Sequence, residues 1–257
     1  MNRTHAVVWT GIVVLSTTLS AQDTRDPREA QPERPTVATH AGTVAPSFLE
    51  IETGLQFDRV AGQTIATTLP AVFKTGLSSS TQLEVTLPVL NSTGANLNVG
   101  DLTASWKWRF AESARERVAI QPSIKLPTGS TGSGYGTGTT DVSLLLISST
   151  ALGAAEMDLN AGWTHRSGDG TVAPTNATVW TASFGGPAVK PFGWVLEFFG
   201  YPKTTGPAGQ PNTAAVLGGP TWTARKYLVF DAGVIVPLTG WLPHSTYVGL
   251  TWNAGRL

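Results

Sequence analysis

The stretch Asp101-Leu102-Thr103-Ala104-Ser105-Trp106-Lys107-Trp108-Arg109-Phe110 alternates without a fault. Asp101, Thr103, Ser105, Lys107 and Arg109 are polar, and Leu102, Ala104, Trp106, Trp108 and Phe110 are apolar. A period of two is that of a β-strand, whose successive side chains point to opposite faces. Two Trp and a Phe on one face, with ionic and hydroxyl groups on the other, separate two very different solvents. The next strand repeats the pattern: Val118, Ile120, Pro122, Ile124 and Leu126 in one phase, Arg117, Gln121, Ser123 and Lys125 in the other. Apolar-out and polar-in alternation over strands of about ten residues is the signature of a membrane-spanning β-barrel.

Twelve such strands are expected from residue 47 onward, at about 47–58, 63–74, 79–88, 99–110, 116–126, 139–150, 155–166, 177–185, 191–201, 212–223, 226–236 and 245–254. One set of connections is long and rich in Gly, Pro, Ser and Asn: Val89–Val99, Pro127–Gly138, Ser167–Asn176, Pro202–Pro211 and Pro237–His244. The other set is short: Ala111–Arg115, Ala151–Ala154, Gly186–Lys190 and Ala224–Arg225. Long outer loops and short periplasmic turns fit an antiparallel up-and-down transmembrane barrel, all-β in class. An even strand number puts both chain ends on the periplasmic side. The connection Arg59–Gly62 is short for an outer loop. The loops Pro202–Pro211 and Pro237–His244, the latter with Trp241, are placed to fold over the mouth.

Composition agrees. Of 257 residues only 13% are charged, against about 25% for soluble domains. The formal net charge is zero, which leaves no electrostatic footprint for nucleic acid. With no Cys, disulfides and thiolate chemistry are excluded. At the N-terminus Arg3 and His5 precede the apolar run 6–15 and small residues through Ala21, the layout of a secretory signal peptide over residues 1–21. Residues 22–46 alternate charge sign and carry Pro27, Pro32, Pro35 and Pro46. They lack the apolar surface to order themselves and are expected as a disordered periplasmic lead-in. The other reading is a segment that folds into the lumen and partly plugs it. Residues 47–257 form the barrel.

The polar phase assigns the charges to the lumen: Glu50, Glu52, Lys74, Glu84, Asp101, Lys107, Arg109, Arg117, Lys125, Asp141, Asp158, Glu197 and Asp231. A lipid-facing Arg or Lys at the bilayer midplane costs roughly 2–4 kcal/mol. A soluble β-sandwich would also place charges outward, so phase alone leaves that fold open. Several of Trp106, Trp108, Trp163, Trp180, Trp194, Trp222 and Trp252 lie near strand ends, which favours interfacial girdles. Ionic pairs between Asp and Lys or Arg on adjacent strands would brace the wall and keep the lumen wetted, or form a charged constriction that filters solutes. Outer-membrane lipid, the barrel-assembly machinery and a small-molecule solute are the expected partners. The alternating run through Tyr247, Gly249 and Trp252 is similar to a C-terminal assembly signal, with Ala254-Gly255-Arg256-Leu257 in place of a terminal aromatic.

Val99-Gly100-Asp101-Leu102, Leu126-Pro127-Thr128-Gly129 and Gly138-Thr139-Thr140-Asp141 resemble, in spacing, the MetA-pathway phenol-degradation family of outer-membrane proteins. That resemblance implies a barrel of about twelve strands that passes aromatic or other apolar compounds. The residues themselves suggest that Pro127 ends a strand and that Gly129, Gly132, Gly134, Gly136 and Gly138 let the following loop take positive φ. A Ser–His site at the outer rim would use His165 with Ser149 or Ser167, as in lipid-modifying barrels. No orienting or oxyanion group accompanies them, no metal-ligand spacing occurs, and the glycine run lacks a phosphate-loop Lys. The expectation is therefore no enzyme, no catalytic residue, no metal and no cofactor. A passive channel or facilitator is the first reading, with a non-conducting anchoring barrel as the alternative.

Overall fold

A computed structural model of the chain describes residues 26–93, 96–132 and 135–257. The signal-peptide assignment lies outside the described residues. Thirteen strands follow in chain order: β1 (Phe48–Val60), β2 (Gln63–Gly76), β3 (Thr81–Thr93), β4 (Asn96–Asn98), β5 (Leu102–Glu112), β6 (Glu116–Leu126) and β7 (Asp141–Leu152). Then come β8 (Ala155–Arg166), β9 (Asn176–Pro187), β10 (Phe192–Tyr201), β11 (Thr213–Arg225), β12 (Leu228–Thr239) and β13 (His244–Arg256).

All pair antiparallel; β4 pairs only with β3, outside the ring, and β13 returns to β1, so the other twelve strands close into a barrel. Closure pairs every edge and removes the unmatched N–H and C=O row that an open sheet exposes. The exterior is an apolar belt: Leu144, Leu146, Trp163, Phe198, Val234 and Val248 all stand exposed. Such a surface suits hydrocarbon rather than water, and it rules against the sandwich, which would have buried these indoles together.

Most strand boundaries fall within two or three residues of the sequence expectation, and two connections differ from it in kind. β3 runs on to Thr93 and turns into β4, pairing Asn91 with Asn98 and Thr93 with Asn96. The expected loop Val89–Val99 is thus largely a hairpin arm. The short first connection is a two-residue hairpin whose Ala61 and Gly62 have φ of 49° and 81°. Positive φ at both central residues matches the right-handed twist of the flanking strands, so this loop needs no extra length.

Candidate functional site in the barrel lumen

Directly opposed residues of paired strands share a face. The register places Glu50, Lys74 and Glu84 in one inward row across β1, β2 and β3. Lys107 lies opposite Gln82, and Lys125, Asp141 and Arg166 form another row across β6, β7 and β8.

The segment 26–46 does not hang free as a disordered lead-in. It enters at the short-turn rim and crosses the lumen, with Ala38, Ala41, Thr43 and Val44 buried. Its order comes from the wall. Backbone amides of Gln31 and Glu33 donate to Glu50 and Glu52 at 2.7 Å each. Those of Val37 and Ala38 donate to the two oxygens of Glu197 at 2.8 and 2.7 Å. Thr39 donates to Asn160 Oδ1, Ala41 to Ser149 Oγ and Val44 to Gln82 Oε1. A chain with no periodicity of its own thus has its amides satisfied one by one by lumen side chains, as buried N–H groups require.

The plug also changes the state of the charges. Lys74 Nζ sits 2.8 Å from Glu50, 2.7 Å from Glu52 and 2.8 Å from the Gln31 carbonyl, with the side chains of all three ionic partners almost wholly buried. Lys107 pairs with the plug's Glu33 and donates to Thr39 Oγ1 and the His40 carbonyl. These groups are buried between the wall and the plug. Arg109 reaches the Ser79 carbonyl and Glu112 at the short-turn rim. Arg117 pairs with Glu156, and Asp158 accepts from Ser149. Asp231 meets Arg34 of the plug at 3.5 Å. A buried pair of this kind is costly to break from one side, because the remaining charge stays desolvated.

The other ionic knot lies at the long-loop rim. Lys125 Nζ is 2.8 Å from Asp101 and 3.2 Å from Asp141, which also meets Arg166 at 3.4 Å. Asp101 accepts the amides of Gly129 and Thr137 at 2.9 and 3.0 Å, so it pins both arms of the loop 127–140. Burial pushes the Asp101 carboxyl up, but the Lys125 ammonium and the two amides outweigh it and hold the group below its ordinary value. The motif glycines serve close approach more than positive φ. A Cβ on Gly136 would lie 2.3 Å from the Gly129 carbonyl oxygen, and only Gly138 of the described motif glycines has positive φ.

Sequence reasoning followed the charges and missed an apolar sector. Phe199, Ala215, Leu217 and Tyr247 form a buried cluster, with Val195, Ile235 and Leu242 packed against it. The register puts Phe199 opposite Ala215, and Glu197 opposite Leu217, so all four share the inward face. The signal was present in Phe198-Phe199, where both phases of β10 are aromatic. Trp241 stands 69% exposed and does not cover the mouth; its neighbour Leu242 does the packing. On the short-turn side a cavity of about 940 Å³ opens between plug residues including Glu33, Arg34 and His40 and the wall at Asp158, Ser183 and Val195.

The seven singled-out Trp are all exposed on the outer face, at 38–47%. Trp222 stacks on Phe230 at 5.3 Å and Trp106 on Trp108 at 6.1 Å. By register, Trp108, Trp194, Trp222 and Trp252 lie towards the short-turn end. Trp163 and Trp180 lie towards the long-loop end. His165 faces outward, stacks on Trp163 and contacts Asn176 at 3.2 Å. Ser149 points into the lumen on Asp158 and the plug, so the wall separates it from His165. Ser167 Oγ accepts the Thr140 amide. Neither serine meets the histidine. Among the described residues no cluster of three or more His, Asp or Glu side chains is arranged to hold a metal.

No protein-family model and no curated protein sequence matches the chain. Solved structures do. The COG4313 outer membrane channel from Pseudomonas putida F1 superposes with a TM-score of 0.65 at 12% identity, over 82% of this chain and 97% of that one. The KdgM porin gives 0.59 at 7% identity over 79% and 98%, and the NanC porin 0.57 at 9% over 80% and 99%. The fold is therefore that of the outer-membrane barrel channels.

Proposed function

We propose that the protein is a bacterial outer-membrane channel for passive movement of small solutes, with the plug 26–46 narrowing its lumen. A barrel of about eight strands is filled by its own side chains, and one of 16–18 leaves an aqueous pore. Twelve strands fall between, and here the difference is taken up by a chain segment. The observation that carries the reading is the lumen itself: an ionic side covered by the plug, an apolar side at Phe199 and Leu217, and a cavity of about 940 Å³. The preferred solutes are small and amphipathic, with an aromatic or aliphatic body. The motif resemblance to the MetA-pathway proteins supports the same class. The likeness to porin folds supports the channel reading without naming a solute.

Liposome swelling tests this directly. The full chain is expected to pass small phenols slowly, and a variant lacking 26–46 to pass phenols and sugars faster. Permeation of no solute by either form overturns the proposal and favours an anchoring barrel.

A further inference from the structure

We propose that the lumen wall contains a guanidinium-binding socket, built by Gly54, Gly249 and Asp231, and that Arg34 fills it to latch the plug. The register sets these three wall residues in one row: Gly54 opposite Gly249, and Gly249 opposite Asp231. Two adjacent strands thus present bare backbone side by side, with a carboxylate at the end of the row. Arg34 lies flat on that platform. A Cβ on Gly54 would stand 2.5 Å from Arg34 Nη2, and one on Gly249 2.5 Å from Nε. Either side chain would evict the guanidinium. The carboxylate of Asp231, with a side chain only 3% exposed, is 3.5 Å from Nη2.

The shape of the socket selects its occupant. A guanidinium is planar, carries its charge over the whole plane and is weakly hydrated, so it can lie against peptide groups while facing a carboxylate. A lysine ammonium is a compact, strongly hydrated point charge and gains nothing from a flat floor. Both glycines lie mid-strand, where Gly is unfavourable; at Gly249 the three nearest atoms to a Cβ are all of the Arg34 guanidinium, whereas at Gly54 a Cβ would also meet the Val248 carbonyl oxygen at 2.5 Å, so Gly54 serves close strand approach as well. Most of the other plug contacts are backbone amides held by wall side chains, and amides carry no sequence identity; the side-chain anchors besides Arg34 include Glu33 and Thr39, both on Lys107. Arg34 therefore fixes the plug's register together with those few side chains. It also touches the large cavity, so a free guanidinium compound reaching that cavity can compete for the same row. The gating consequence rests on the channel reading; the socket does not.

Hydrogen exchange at the amides of Gln31, Glu33, Val37, Ala38 and Thr39 reads the latch, and bilayer conductance of the same preparations reads the gate. Arg34→Ala is expected to speed exchange about tenfold, the loss of one charge-assisted contact, and to raise open time. Arg34→Lys should behave like Arg34→Ala. Methylguanidinium added to Arg34→Ala should slow exchange saturably, methylammonium should not, and Gly249→Val should abolish that rescue. If Arg34→Lys matches wild type, or the two cations act alike, the socket is not a guanidinium site. Latch behaviour in exchange with no conductance from any variant sinks the channel reading alone.

Discussion

Along β1, β2 and β5 the lumen phase carries Glu50, Glu52, Lys74 and Lys107, whereas along β10 to β13 it carries Phe199, Leu217, Ile235 and Tyr247. Both sides are buried, for opposite reasons. The ionic side is buried because the plug lies on it and supplies Glu33, the Gln31 carbonyl and a row of amides. The apolar side is buried because its own side chains and Leu242 pack together. The ionic wall therefore depends on a partner segment, whereas the apolar cluster does not, although Glu197 and Asp231 on the same strands also hold the plug. Removing the plug should leave the ionic wall hydrated and the apolar wall nearly unchanged.

The comparison breaks most readily at Lys74. Lys74→Met removes the cation shared by Glu50 and Glu52 and leaves two carboxylates together in a buried contact. Stranding buried charge in this way costs about 3–5 kcal/mol. Urea unfolding followed by tryptophan fluorescence should show the loss, and Lys74→Met with Glu52→Gln should recover part of it. A neutral Lys74→Met would mean that the ionic wall is already solvated. On the other wall, Leu217→Ala should cost about 2–5 kcal/mol, because Leu217 is 1% exposed. Deleting 26–46 should change that cost little, since the cluster around Leu217 contains no plug residue.

The same contrast explains what could be read from the chain alone. The wall was legible because its period of two is imposed by lipid on one side and lumen on the other, and every strand repeats it. Residues 26–46 carry no such period. Pro27, Pro32 and Pro35 and alternating charges read as disorder, because the order is supplied by Glu50, Glu52 and Glu197 more than a dozen residues away. The excess of acid on β1 was a hint that something in the lumen must donate to it. The apolar sector went unread because charge was used to mark the lumen, and a lumen-facing Phe199 looks like a lipid-facing one. The glycines of the loop 127–140 were legible as a loop but not in purpose, since close approach to Asp101 is a tertiary fact.

Asp101 provides a smaller and pH-dependent test, at a rim where charge meets solvent and no plug intervenes. Its carboxyl is held below the ordinary value in the folded state. It therefore contributes stability that is fully present above the unfolded value near 3.8 and is lost as pH falls through the lower folded value. Proteolysis within 127–140 should stay slow at neutral pH and accelerate only in strong acid. Asp101→Asn should make cleavage fast at every pH, with a cost of about 1–2 kcal/mol for the lost charge-assisted bonds. An unchanged cleavage rate in Asp101→Asn would mean that Lys125 and Asp141 hold the loop without it.

The least effect separates two adjacent residues of the last long loop. Trp241 is the larger side chain and stands 69% exposed, while Leu242 packs on the Phe199 cluster. Size predicts that Trp241→Ala matters more; burial predicts the reverse. Truncating an exposed residue away from such contacts usually stays within about 0.5 kcal/mol, so Trp241→Ala should leave unfolding and permeation unchanged. Leu242→Ala should cost about 1 kcal/mol, for roughly a methylene or more of lost burial, and should quicken entry of apolar solutes by loosening the lid over Phe199. If Trp241→Ala proves the more disruptive, the loop closes on the mouth through its indole. The apolar sector would then depend on a covering segment, just as the ionic side depends on the plug.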